Sequence, residues 1–127
     1  MRVSYVSAEE ILRLHYQVIA DFGGAHGVRD VERLKSVAVA PKQAVFGLGQ
    51  YPSLWDKAAV YLRNIIGDHP FVDGNKRTAL TVCGLFLARN GLKLTVEPSE
   101  LENFIIEVAT GHLDIREIAD WLEEHTK

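Results

Sequence analysis

Apolar positions along this chain recur mostly three and four residues apart, the period of helices that bury one face. Ser7 and Glu10 form a capping box ahead of Ile11, Leu12, Leu14, Val18 and Ile19, and Gly23-Gly24 closes that segment. Asp30 can cap a second helix carrying Val31, Leu34, Val37 and Ala38, which must stop near Pro41. Ser53 with Asp56 opens a third, through Ala58, Ala59, Leu62, Ile65 and Ile66 to Gly67. A fourth is predicted from about Asn75 to Asn90, ended by Asn90-Gly91. Ser99 with Glu102 predicts the start of a fifth, before Leu101, Phe104, Ile105 and Val108. Asp114 with Glu117 opens a sixth, with Ile115, Ile118, Ala119 and Leu122 on one side.

Two stretches break the helical period. Leu92, Leu94 and Val96 alternate with Lys93 and Thr95, which allows one short strand or an extended turn. Val45 to Pro52, VFGLGQYP, holds three turn formers in eight residues and reads as an exposed loop or a short flap. Residues 78–88, TALTVCGLFLA, carry no charge, and a helix that is apolar on nearly every side belongs among other helices. The expectation is an all-α fold: a compact bundle of about six helices around that central apolar helix, as one domain spanning 1–127.

Composition narrows the function classes. Cys83 is the only cysteine, so no internal disulfide can form and no thiolate zinc pair exists. The formal charge of −3 argues against a broad nucleic-acid surface, so no direct DNA binding is expected. No apolar run reaches membrane-spanning length, and the start, Met1-Arg2-Val3-Ser4-Tyr5, lacks a signal-peptide pattern. A cytoplasmic protein without a membrane role is expected. His15, His26, His112 and His125 are too scattered for a zinc set and are assigned to surface or packing roles. Trp55 and Trp121 are expected in the core or lining a groove, and Cys83 is expected buried and inert.

Chemistry concentrates where the central helix begins: His69-Pro70-Phe71-Val72-Asp73-Gly74-Asn75-Lys76-Arg77-Thr78. A helix N-terminus offers unpaired amides and the positive end of the dipole, a ready anion site. Gly74 permits close backbone approach to a ligand. Lys76 and Arg77 add two cations, and a guanidinium can grip a phosphate through two parallel hydrogen bonds. A carboxylate at Asp73, in so cationic a place, suits a metal, because Mg²⁺ takes one or two carboxylates together with phosphate oxygens. His69 can accept a proton near neutral pH. Phe71 is read as an apolar anchor. Singly, each fragment has a bland reading as turn or cap. As a set they fit phosphate-group transfer from a nucleotide.

The string HPFVDGNKRTAL resembles the signature of the Fic/Doc superfamily, H-x-F-x-[DE]-[AG]-N-[GK]-R. Gly27-Val28-Arg29-Asp30, VFGLGQYP, LARNG and ATGHLDIREIADWLEEH extend the resemblance over nearly the whole chain, towards the Doc (death-on-curing) toxin branch. The resemblance implies that His69 is the general base and that Asp73 is the Mg²⁺ ligand. Gly74 and Asn75 would form the anion hole, with the Asn75 side chain assisting, and Lys76 and Arg77 would hold the phosphates of ATP. Val45, Phe46, Gly47 and Leu48 would form a flap that positions the target. Lys76 stands where AMP-transferring enzymes carry glycine, which points to γ-phosphate transfer onto a protein hydroxyl, with a threonine of elongation factor Tu as the implied target. Asp73-Gly74 follow the Fic form of the motif, so AMP transfer is the alternative outcome. A catalytically inactive module that binds nucleotide or a partner is the non-enzymatic alternative. The self-inhibitory pattern [ST]-x-x-x-E-[GN] of many Fic proteins is absent from this sequence, since Pro98 stands four residues before Glu102-Asn103. An antitoxin whose tail folds on binding is therefore the implied regulator. Arg29 is assigned to pairing with a carboxylate rather than to reaching a phosphate.

Overall fold

Side-chain caps start four of the six helices of the computed structural model, which describes residues 2–127. Ser7 caps α1 (Ala8–Phe22), Asp30 caps α2 (Val31–Val39) and Ser53 caps α3 (Leu54–Asp68). Asp114 caps α6 (Ile115–Glu124). The capping boxes predicted at Ser7/Glu10, Ser53/Asp56 and Asp114/Glu117 are all formed. Each satisfies orphan amides at a helix start.

The fifth start differs from expectation. Helix α5 (Pro98–Ala109) begins ahead of Ser99, with Glu97 at its N-cap and no side-chain cap bond. Pro98 explains the shift: it lacks an amide that would need capping, and its fixed φ already suits the first helical position. Ser99 thus falls inside the first turn.

The apolar helix α4 (Asn75–Arg89) lies at the centre, as its composition demands, and shares that place with α3. Helix α3 packs on α2, α4, α5 and α6, and buries Ala58, Ala59, Val60, Tyr61, Leu62 and Ile65 completely. Its buried polar residues serve its own start. Asp56 closes the capping box, and the Lys57 ammonium donates to the Tyr51 carbonyl. Phe86 of α4 packs against Tyr61, whose hydroxyl bonds the Val6 backbone. Cys83 is fully buried, and desolvation pushes its thiol up to about 12, so the inert reading holds. Trp121 stacks flat on Phe104, and the Trp55 indole donates to Thr126.

The only sheet among the described residues is small. β1 (Ala44–Val45) and β2 (Leu48–Gly49) pair as a hairpin over Phe46-Gly47. Both turn residues have positive φ, 52° and 78°, as tight hairpin turns require. The alternating segment 92–96 forms the extended turn and not a regular strand: Lys93 exchanges backbone bonds with Lys127, and Leu94 bridges Thr126.

Candidate active site

The site is built where α3 ends and α4 begins. His69 stands at the C-cap of α3 in the left-handed region, φ 49°, a conformation that non-glycine residues seldom adopt. Two arginines hold it there. The Arg29 side chain donates to the carbonyls of His69 and Asp68, both at 2.7 Å, and Arg33 donates to Asp68 at 2.8 Å. Arg29 therefore pairs with neither a carboxylate nor the phosphate site, contrary to expectation. The unsatisfied carbonyls at the end of a helix, and the negative end of its dipole, attract it instead. Backbone bonds from Arg29 and Asp30 to the Pro70 carbonyl, and from Val72 to Gly27, strap the loop against residues 27–30.

Phe71 anchors this loop as expected, with its ring fully buried. The Asn75 side chain works on the same anchor. It accepts from the Phe71 amide at 3.1 Å and donates to the Phe71 carbonyl at 3.0 Å. Buried and doubly bonded, that side chain braces the loop from within, whereas the sequence reading had it assisting at the anion hole.

Gly74 has φ 75° and caps α4 with no side chain, and the first turn of α4 holds no acidic residue. The positive φ favours glycine here, and a Cβ at Gly74 would stand 2.8 Å from Ile19 Cδ1, so the tip of that side chain would have to shift. The Asp73 carboxylate accepts from the Gly74 amide at 2.8 Å and from the Ala25 amide at 3.1 Å. A Cβ on Gly24 would come within 2.7 Å of its Oδ2, so Gly24 makes room for this carboxylate. Lys76 and Arg77 are exposed, and among the described residues neither enters an ion pair. The Arg77 guanidinium lies 4.1 Å over the Phe22 ring, which holds it by cation–π attraction.

His69, Asp73, Gly74, Asn75, Lys76 and Arg77 line one open cleft of about 390 Å³, with Val18, Gly23 and Val72 completing its wall. The hairpin residues Val45, Phe46, Gly47 and Leu48 do not line it. All four are exposed, Phe46 entirely so. The donor set suits Mg²⁺. Each Asp73 oxygen has one amide partner and spare lone pairs for a cation. One carboxylate beside a phosphate site is the pattern of Mg²⁺, which draws its remaining ligands from phosphates and water.

The pattern of the Fic/DOC family matches residues 5–87, most of the chain and the whole of this cleft. The chain belongs to the Fic/Doc family. It is 41% identical over 100 residues to Toxin Doc of Mycolicibacterium smegmatis, covering 77% of each chain. It is 35% identical over 118 residues to Protein kinase doc of Escherichia phage P1, covering 93% of this chain and 92% of the other. The all-α bundle is the architecture expected of a Fic/Doc chain. No helix among the described residues is long and apolar enough to cross a membrane.

His15 takes the packing role expected of it, beneath the site, and its bond to residue 73 is what the sequence did not disclose. His15 is 2% exposed and stacks on Phe71 with ring centroids 3.8 Å apart. Its Nε2 lies 2.8 Å from the Asp73 carbonyl oxygen. The packing role was legible, because His15 falls between Ile11 and Ile19 on the apolar face of α1.

Proposed function

We propose that this chain is a toxin that transfers the γ-phosphate of ATP to a protein hydroxyl, under the control of an antitoxin. The observation that carries the reading is the convergence of His69, Asp73, Gly74, Lys76 and Arg77 on one cleft at an uncapped helix N-terminus. The names of the two relatives, a toxin and a protein kinase, support it.

The chemistry follows from what each group can do. The amides at the start of α4, with Lys76 and Arg77, hold nucleotide phosphates through charge-assisted hydrogen bonds. His69 accepts the proton of the target hydroxyl as its oxygen bonds to the γ-phosphorus. The bond from that phosphorus to the bridging oxygen breaks, and ADP leaves with its electron pair. Mg²⁺, held through Asp73, would neutralise phosphate charge as the bond breaks. Lys76 fills the position at which AMP-transferring relatives carry glycine, and this favours γ-transfer. Asp73-Gly74 favour the AMP-transfer alternative, in which the hydroxyl attacks the α-phosphorus and pyrophosphate leaves. The exposed hairpin with Phe46 at its tip is read as the flap that presents the target, a threonine of elongation factor Tu being the candidate. The antitoxin would cover the toxin through a tail that orders on binding.

The test is transfer to purified elongation factor Tu from ATP. We expect a gain of one phosphate, read by intact mass, with Lys76→Gly slowing it. A gain of AMP would select the alternative. An unchanged mass with wild-type protein and with His69→Ala alike would select the inactive binding module.

A further inference from the structure

We infer that His15 is a positioning residue: its Nε2–H pins the Asp73 carbonyl inward and so keeps the Gly74 amide facing the cleft. The inference rests on the phosphate-binding reading of that cleft. A carbonyl oxygen can only accept, so the 2.8 Å contact requires the proton on Nε2.

The geometry of one peptide unit makes this bond matter. In a trans peptide the C=O and N–H point in opposite directions. With the Asp73 carbonyl turned to His15, the Gly74 N–H points the other way, towards the Asp73 carboxylate on the cleft wall. Rotation of this peptide would break the amide's bond to the Asp73 carboxylate and turn a carbonyl oxygen towards the cleft. Gly74 cannot oppose the rotation by itself, because glycine accepts φ of either sign. The residue that the positive φ favours is therefore the residue least able to hold its own peptide plane. His15 stands one turn before Ile19 on α1 and holds the carbonyl end of the peptide whose amide end the Asp73 carboxylate holds. Its stacking on Phe71 fixes the ring plane, and Asn75 holds the Phe71 backbone.

The test separates the hydrogen bond from the packing. His15→Phe keeps a flat ring on Phe71 and removes the donor. His15→Gln and His15→Met form a second pair of similar size that differs in the donor. Each variant is read by far-UV circular dichroism, by the amide resonance of Gly74 and by ATP affinity. We expect folded His15→Phe and His15→Met to shift the Gly74 amide and to weaken ATP binding about tenfold or more. His15→Gln should recover most of both. A folded donor-less variant with an unmoved Gly74 amide and wild-type affinity would overturn the role. So would misfolding of both donor-less variants beside a folded His15→Gln, which would make the bond structural only. Failure of wild-type protein to bind ATP would instead overturn the phosphate-binding reading, and the amide resonance would still report on the peptide.

Discussion

At the residue scale, the site divides into groups that face the cleft and groups that hold them. His69 belongs to the first kind. Its side chain is exposed, so His69→Ala should leave the thermal melt close to wild type while transfer falls by about 10²-fold or more. A melting scan beside a transfer assay checks both halves. Phe71 belongs to the second kind. Removing its fully buried ring should cost about 3–5 kcal/mol, read by urea unfolding, and the cleft should be lost with it. His15 adds a pH dependence. Burial lowers its pKa, the stack of charges around it including His26 against protonation and Asp73 for it. Below about pH 6.5 the unfolded chain takes up a proton at this histidine that the folded chain resists. Stability should therefore fall as pH drops through that range. His15→Gln should show a shallower loss between pH 7.5 and pH 5.5 in urea midpoints; an identical slope would count against a neutral buried imidazole.

At the element scale, the junction of α3 and α4 shows what the pattern of residues could and could not disclose. Capping boxes and apolar periodicity are local signals, and they disclosed all six helices while misplacing the start of α5. The motif from His69 to Arg77 was legible because its members are contiguous and enter the same cleft. The arginine and His15 braces were not legible, because each of these reaches across the chain. Arg29 and Arg33 on one side of the fold bond carbonyls of residues 68 and 69, and His15 bonds residue 73. No spacing rule encodes such pairs. Pro98 shifted the start of α5 for a local reason that outweighed the Ser99/Glu102 pattern. The arginine clamp makes its own prediction. The double variant Arg29→Met/Arg33→Met should lose about 1–3 kcal/mol and should slow transfer about tenfold, as His69 leaves its left-handed conformation. Unfolding curves and transfer rates measured together will show whether activity falls more than stability.

At the scale of the whole molecule, the bundle carries two exposed features: the cleft at the α4 start, and the hairpin. Phe46 is 100% exposed, so Phe46→Asp should change stability by less than about 0.5 kcal/mol. If the hairpin presents the target, the same variant should raise KM for the protein substrate and leave ATP affinity unchanged. Equal KM values would remove the hairpin from the mechanism. Expressed alone in a bacterial host, the wild-type chain should arrest growth, and His69→Ala should not.

The central claim is γ-phosphate transfer dependent on His69. A translation extract incubated with the protein and with ATP labelled at either the γ or the α position tests it most directly. A protein labelled from γ-labelled ATP alone is expected, with the label lost in His69→Ala. Label from the α position, or label that survives His69→Ala, would contradict it.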